Sequence, residues 1–163
     1  MKQTAAQKPR SFDRFEEEDL NYLLASALDD LCSFEARHQH HRGLAATLVC
    51  VALCQGAARH LVDGEGGVHD FDVWSFFRAE DGRPAFPVRR RASRPFEGSR
   101  FTGSSRRIDL LGRSIIDLGS ARTSLTDYLR SGRTATAKAL SERPAYILHP
   151  ISERGPLPRL SPF

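Results

Sequence analysis

The sequence lacks a long apolar run, a paired set of cysteines and a secretory signal. Its longest apolar run, Leu44 to Cys54, is too short to span a bilayer, and Met1 to Arg10 contains no apolar stretch. The three cysteines, Cys32, Cys50 and Cys54, are an odd number, so we expect small buried apolar residues in a reducing compartment rather than a disulfide framework. These features predict a cytoplasmic protein without a membrane segment.

Lysine is also scarce, which makes the positive charge of the chain almost entirely arginine. Lysine occurs only at Lys2, Lys8 and Lys138, and the formal net charge is +4. Arginine presents a planar fork of donors that fits phosphate groups, so the bias agrees with a phosphate-bearing partner. The nucleotide composition of the source genome explains it equally well, and so modest a charge does not demand nucleic acid.

The length of the chain, 163 residues, fits one domain with a substantial core. We predict a disordered arm at residues 1–12, a single domain at 13–154 and a Pro-rich tail at 155–163. Asp13 and Glu16 have the spacing of a capping box at the start of a helix. Apolar residues then recur at the spacing of one helix face, which predicts a helix that ends within residues 38–43. They are Leu20, Leu23, Leu24, Ala27, Leu28, Leu31 and Phe34.

Two histidines near the end of this helix have a spacing compatible with metal binding. His38 and His41 would lie on one helical face if the helix continued through them. A solvated helix end, with cations beside the negative end of the helix dipole, explains them better. We therefore expect no metal at this pair.

A buried strand followed by a turn is predicted next. Leu44 to Cys54 is a continuous apolar run with β-branched residues, which favours a buried strand, although a buried helix fits the length as well. The small residues of Gln55 to Ala58 allow a turn and a close approach of a ligand to the backbone. A helical turn and a loop at residues 63–67 complete this prediction.

The segment from Val68 to Phe77, V-H-D-F-D-V-W-S-F-F, is the one around which the prediction is organised. As an extended strand it places Asp70, Asp72, Trp74 and Phe76 on one face. Two like charges on one strand face are locally unfavourable, and local rules are most often broken at functional sites. Strand carboxylates beside substrate phosphates are a standard way to hold magnesium. An edge strand with a solvated acidic face explains the pair about as well.

The rest of the chain combines a basic stretch with regular elements. Arg78 to Arg106 has no sustained period and indicates either an electropositive flap over a phosphate-binding cleft or a solvated loop, with a short strand at Val88 to Arg91. Arg107 to Ile116 predicts a strand that supplies a third acid, Asp109. Helices at 117–130 and 136–143 and a strand at 145–149 complete the chain.

These elements predict an α+β fold, in which a small mixed β-sheet is flanked by helices. Their order is a helix, a strand that ends in a glycine turn at Gly56, a D-x-D strand and a further strand with one Asp. This order resembles the nucleotidyltransferase superfamily of DNA polymerase β-like enzymes over about Leu44 to Ile116. The resemblance implies that Asp70 and Asp72 hold two magnesium ions. It also implies that Asp109 completes one metal site and helps to deprotonate the attacking hydroxyl.

The same resemblance implies a nucleoside triphosphate as substrate. Backbone N–H groups of Gln55, Gly56 and Ala57 would cradle the triphosphate, and Arg107 with neighbouring arginines would neutralise its distal phosphates. These three residues stand where the family usually has Gly-Ser or Gly-Gly, so the hydroxyl that contacts a phosphate is missing. The implied reaction transfers a nucleoside monophosphate to a hydroxyl of an unidentified acceptor. Trp74 or Phe76, on the acidic face, would stack on the base, but packing in the core explains either residue better.

Two other functions also fit the sequence. An inactive relative that keeps the fold and binds a protein partner is the first. A basic protein that binds nucleic acid through the arginines between Arg83 and Arg107 is the second. Only the enzyme requires the three acids to gather at one place, so we predict that Asp70, Asp72 and Asp109 converge beside the small-residue turn.

Overall fold

The computed structural model describes residues 9–83, 85–86, 92–97, 101 and 106–157. In these residues the helices are α1 (Glu17–Arg37), α2 (Gln55–Asp63), α3 (Ala121–Ser131) and α4 (Ala135–Ser141). The strands are β1 (Leu48–Cys54), β2 (Phe71–Arg78), β3 (Ala92–Pro95), β4 (Arg107–Ile115), β5 (Ala145–His149) and β6 (Gly155–Leu157). They form one mixed sheet in the order β3-β4-β2-β1-β5-β6. The predicted α+β class, a mixed sheet flanked by helices, is therefore confirmed.

Helix α1 follows the predicted apolar spacing, and its ends differ little from the prediction. Its capping box is formed by Glu16 and Asp19, three residues after the predicted start, and the Asp19 carboxylate accepts a hydrogen bond from the Glu16 N–H at 2.8 Å. At the other end the His38 N–H donates to the carbonyl of Phe34 at 3.1 Å. The helix therefore ends where the sequence predicted. Within the described ranges, each helix is too short or too polar to traverse a bilayer.

The strand that carries the acids lies inside the sheet. β2 pairs antiparallel with β1 on one side and parallel with β4 on the other. An edge strand with a solvated acidic face is therefore the wrong interpretation of the two aspartates. The side chains of β2 alternate as predicted, because Phe71 and Val73 pack in one core cluster while Trp74 and Phe76 pack in another.

Each face of the sheet has its own apolar layer. We call one the α1 face, because α1 packs on it, and the other the α3 face, because α3 and α4 pack on it. The α1 face is formed by Val51, Leu53, Phe71, Val73, Ile108 and Leu110. The α3 face is formed by Cys50, Ala52, Cys54, Trp74, Phe76 and Leu111.

The turn after β1 is shorter than predicted. Leu44–Thr47 is a 3-10 helix, so the strand begins only at Leu48, and α2 starts immediately after Cys54. The chain changes direction at Gln55, whose φ of 61° is the left-handed conformation, which is uncommon for residues other than glycine. Gly56 therefore lies in the first turn of a helix rather than in a separate glycine turn.

Four further predictions changed or lie outside the described residues. Cys32 is exposed, because it lies on the solvent side of α1, whereas the other two cysteines are buried as expected. Ser11, which we placed in a disordered arm, forms an isolated β-bridge with Val68. The start of the predicted tail is strand β6. The strand predicted at 88–91 falls outside the described residues, and a strand is present at 92–95.

Candidate functional site

The sheet register brings two of the three acids together. β2 and β4 run parallel, and Asp72 and Asp109 are direct partners in their register. Asp72 lies two residues before Trp74, and Asp109 lies two residues before Leu111. Because Trp74 and Leu111 pack on the α3 face, both carboxylates project from that side of the sheet. Cys54 at the end of β1 is the partner of Asp72 on the other side. The two carboxylates are thus held by interior strands, which fix their relative position.

The third acid joins the same cavity from the residue just before β2. One carboxylate oxygen of Asp70 accepts a hydrogen bond from the backbone N–H of Arg107 at 3.0 Å, which ties the entry of β2 to the start of β4. Asp70, Asp72 and Asp109 all line one cavity of about 380 Å³. That volume is in the range of a small-molecule site.

The donor set of this cavity suits a hard divalent cation. Carboxylate oxygens are the ligands that magnesium prefers, and magnesium is usually bound by one or two carboxylates together with substrate phosphates and water. Within the described part of the chain, however, no group of three His, Cys, Asp or Glu side chains, these acids included, is arranged so that it could hold a metal ion. Asp109 is buried and Asp72 is half-buried, so the pair lies at the floor of the cavity rather than on open surface.

The first turn of α2 forms another wall of this cavity. Gln55, Gly56 and Ala57, the predicted phosphate cradle, all line it. The first N–H groups of a helix have no partner within the helix and carry a partial positive charge. A Cβ atom on Gly56 would lie 3.4 Å from Nη1 of Arg143, so this arginine sits directly against the turn. Gln55, Gly56 and Ala57 therefore line the same cavity as the three acids, and the backbone that they form is the start of a helix.

Two arginines that the sequence analysis missed line the cavity. Arg10 lies ahead of the domain core and Arg143 follows α4, so both are far from the acidic strands in the sequence. No local pattern marks either residue, because each reaches the site only through tertiary packing. Together with the first turn of α2, they add positive charge to a cavity that the three acids also line.

Arg107, which we predicted to bind nucleotide, points elsewhere. Its Nε donates to the Ser93 hydroxyl at 2.6 Å and its Nη2 to the Ser93 carbonyl at 3.0 Å, so the guanidinium lies along β3. The residue contributes its backbone N–H to Asp70, and its side chain is not part of the cavity wall. Of the predicted nucleotide-binding residues, Arg107 is thus the one that the structure places apart.

The other described arginines of the basic stretch make contacts within the protein. Arg83 donates to the carbonyl of Arg42 at 3.0 Å, and Arg94 pairs with Asp29 at 2.6 Å. Arg106 is only 3% exposed. The predicted flap itself, with Arg89, Arg90, Arg91 and Arg100, falls outside the described residues. The arginines that are described hold the fold together instead of covering the cavity.

Two apolar residues adjoin Asp72: Trp74 follows it on the same face of β2, and the buried Cys54 is its partner on β1. Trp74 lines the cavity and stacks on Phe76, with ring centroids 6.1 Å apart and planes at 18°. Phe76 is fully buried, which gives it the packing role. The pKa of the Cys54 thiol is raised well above its ordinary value, first by burial and second by the charge of Asp72. Cys54 therefore stays protonated and is no nucleophile at neutral pH.

The histidines at the end of α1 lie away from this cavity. His41 is buried against the Phe34 ring, with centroids 5.4 Å apart, so the predicted solvated helix end is wrong for this residue. Burial, followed by the nearby charges of His38, His40 and Arg83, lowers the pKa of His41. A neutral imidazole packed among aromatic rings is a structural element here.

The site is thus a cavity lined by three carboxylates, two arginines and the start of a helix. This combination of charges suits a ligand that carries negative groups and binds together with a divalent cation. No family model matches the chain, and no curated protein or solved structure is detectably similar to it.

Proposed function

We propose that this protein is a metal-dependent nucleotidyltransferase that moves a nucleoside monophosphate from a nucleoside triphosphate to a hydroxyl group of an acceptor. The observation that carries the proposal is the placement of Asp72 and Asp109 at facing positions of two parallel interior strands, in a cavity bounded by the first turn of α2. Two carboxylates placed side by side in a sheet interior are unfavourable for folding, so a functional use explains them.

The three acids would hold the magnesium ions. When bound, magnesium neutralises the charge that develops on the transferred phosphoryl group. Asp72 is anchored by its strand neighbours on both sides, and Asp70 is oriented by the N–H of Arg107. Asp109 is the most buried of the three, at 8% exposure, and is the group we assign to accept the proton of the attacking hydroxyl.

The positively charged groups of the cavity would bind the triphosphate. The N–H groups of Gly56 and Ala57 at the start of α2 present donors to an anion, and Arg143 supports them from the side. This arrangement uses backbone donors in place of the hydroxyl that the family motif usually supplies. Trp74 lines the cavity but is only 4% exposed and packs in the core of the α3 face, so we assign it a packing role rather than stacking on the base.

The acceptor and the location are further parts of the proposal. The acceptor is a molecule with a free hydroxyl, either a small molecule, a protein or a nucleic acid. We also propose a cytoplasmic location, which the odd number of cysteines supports. A non-catalytic module that binds a protein partner is the competing function, and the absence of a hydroxyl at Gln55 to Ala57 favours it.

Calorimetry with magnesium and each nucleoside triphosphate tests the proposal. We expect the wild type to bind at least one triphosphate only when magnesium is present, and Asp72→Asn to weaken that binding about a hundredfold or more, because it removes a charged metal ligand. Asp81→Asn is the matched control, since Asp81 is exposed in the turn beyond the other end of β2. Thermal unfolding without magnesium checks that both variants are folded.

Two results would contradict the proposal. Identical titrations of wild type and Asp72→Asn would show that the acids do not hold the metal. Absence of triphosphate binding by the wild type, combined with recovery of a stable complex from the source cell, would establish the interaction module instead.

A further inference from the structure

The segment that precedes the domain core is fixed against the site. We call residues 9–15 the arm. Ser11 and Val68 exchange two backbone hydrogen bonds, of 2.8 and 2.6 Å, in an isolated antiparallel bridge. On the α2 side, Nε2 of His60 donates to the carbonyl of Asp13 at 2.8 Å. These bonds connect the arm both to the loop before β2 and to α2, two elements that form the cavity wall.

A buried arginine clamps the arm to the acidic strand. Arg106 donates from Nη2 to the carbonyl of Pro9 at 2.6 Å and from Nη1 to the carbonyl of His69 at 3.1 Å. The residue is 3% exposed, and a buried guanidinium is costly unless its donors are satisfied; these two bonds satisfy its terminal nitrogens, while its buried Nε has no hydrogen-bond partner. His69 immediately precedes Asp70, so one side chain sets the distance between the arm and the first acid of the site.

A glycine allows the arm to lie this close. Gly67 has a φ of +62°, and a Cβ atom there would lie 3.0 Å from the Ser11 carbonyl oxygen and 3.2 Å from Cβ of Arg10. A side chain at this position would therefore strain the backbone and displace the arm. The contact between the arm and the loop before β2 therefore depends on a glycine at position 67.

The position of Arg10 follows from this clamp. Its Nη1 donates to the carbonyl of Gly66 at 3.0 Å, which orients the guanidinium, and the residue lines the cavity that holds the three acids. A guanidinium has five N–H donors, so one hydrogen bond to a carbonyl leaves donors for a ligand. Arg10 therefore presents an oriented positive charge at the mouth of the cavity.

We propose that the arm is a fixed wall of the site and that Arg10 binds the phosphate groups of the ligand, while Arg106 is the positioning residue that holds Arg10 in place. The identification of the ligand as a polyphosphate rests on the proposed function. The role of Arg10 itself rests on the geometry of the arm. Because Arg10 would contact only the phosphate groups, we expect its contribution to the binding affinity to be the same for every base of the nucleotide.

Binding of inorganic pyrophosphate and of each nucleoside triphosphate, in magnesium, tests the role of Arg10. We expect Arg10→Gln to weaken both kinds of ligand about tenfold, because it removes a charge-assisted hydrogen bond. Arg14→Gln is the matched control, since Arg14 is exposed on the same arm and does not line the cavity. Both positions are exposed, so neither substitution endangers folding.

A double-mutant cycle tests the role of Arg106. We expect Arg106→Met to weaken pyrophosphate binding about as much as Arg10→Gln does, and the double variant to bind no more weakly than either single variant, because both act through the same contact. Faster hydrogen exchange at the Ser11 N–H in Arg106→Met would show that the arm has been released. Additive losses would assign Arg106 a merely structural role and would overturn the clamp.

The outcomes separate this inference from the proposed function. If Arg10→Gln binds pyrophosphate as tightly as the wild type, the role of Arg10 is overturned, while magnesium-dependent triphosphate binding stands or falls with Asp72→Asn. If Arg10→Gln weakens pyrophosphate binding but Asp72→Asn and magnesium removal have no effect, Arg10 is a phosphate ligand and the metal-dependent reaction is overturned. A wild type that binds neither ligand overturns both.

Discussion

The two faces of the sheet come from the same strands but have different characters. The α1 face is apolar and rich in aromatic rings, with Phe71 packed against Phe96 and Phe101 at centroid distances of 4.5 and 5.2 Å. The α3 face is apolar in its middle and acidic at one end, where Asp72 and Asp109 enter the cavity. The three acids of the candidate site are thus on the α3 side of the sheet, whereas the α1 face is apolar throughout its core cluster.

The difference shows how a small domain accommodates an unfavourable site. The α1 face buries a continuous apolar layer that contains none of the three acids, and this layer contributes hydrophobic stabilisation. The other face can then place carboxylates on interior strands without losing the fold. Substitutions on the two faces should therefore separate stability from ligand binding, and the largest effects on stability should come from the α1 face.

The largest expected effect is the loss of the Phe71 ring. Phe71 is fully buried at the centre of the aromatic cluster on the α1 face. We expect Phe71→Ala to lower the free energy of unfolding by about 3–5 kcal/mol, because it removes buried apolar area and leaves a cavity. Urea unfolding followed by circular dichroism measures this. Phe12→Ala is the control of the same residue type, and Phe12 is 68% exposed.

An equal effect of the two phenylalanine substitutions would contradict the assignment of Phe71 to the buried core of the α1 face. A loss at Phe71 of less than about 1 kcal/mol would do the same, since buried Phe→Ala substitutions rarely cost so little.

A smaller effect is expected where the α1 face is packed too tightly for one more methyl group. A Cβ atom on Gly112 of β4 would lie 2.8 Å from Cε1 of Phe86 and 3.1 Å from Cε2 of Phe77. We expect Gly112→Ala to lower the free energy of unfolding by about 1–3 kcal/mol through overpacking. The second substitution Phe86→Leu makes room, so the double variant should recover part of the loss. If Phe86→Leu only adds its own cost, the steric explanation is wrong.

The elements of the fold that follow a local period could be predicted from the sequence. Helix α1 obeys the spacing of one helix face, and its predicted apolar residues are buried except Leu28, which is half-buried, whereas the burial of Asp30 was not predicted. The side chains of β2 alternate between the two faces of the sheet as predicted. The sequence predicted a turn at Gln55 to Ala58 because of its small residues, whereas the structure begins helix α2 there. The left-handed conformation of Gln55, where the chain changes direction, has no signature in the sequence. Glycine is the residue that usually marks such a position.

The candidate site was only partly predictable, because it depends on pairing between distant strands. The sequence placed Asp72 and Asp109 on strands, but only the parallel register of β2 and β4 makes them neighbours. Arg107 was expected to bind phosphate together with the neighbouring arginines of the basic stretch, whereas its side chain donates to the Ser93 hydroxyl on β3. Arg10 and Arg143 reach the cavity from outside the acidic strands, and no spacing rule relates them to the acids.

The smallest expected effect concerns the buried thiols of the α3 face at high pH. Burial, followed by the charge of Glu153, raises the pKa of Cys50 from an ordinary value of 9.0 to about 12. Above pH 9 the unfolded chain therefore releases a proton that the folded chain keeps, so stability is complete below pH 9 and is lost as the pH rises towards 12. At pH 10 we expect this thiol to reduce the free energy of unfolding by about 1 kcal/mol relative to pH 8.

Thermal or urea unfolding at a series of pH values isolates the contribution of Cys50. Cys50→Ala lowers stability at all pH values by creating a small cavity, but it should make the decrease between pH 8 and pH 10 less steep than in the wild type. Cys32→Ala is the matched control: Cys32 is exposed on α1, so its removal should leave the slope unchanged. If Cys50→Ala has the slope of the wild type, the thiol is already accessible to hydroxide in the folded protein. The α3 face would then be open to solvent beneath the acids, and the contrast between the two faces would be weaker than the packing indicates.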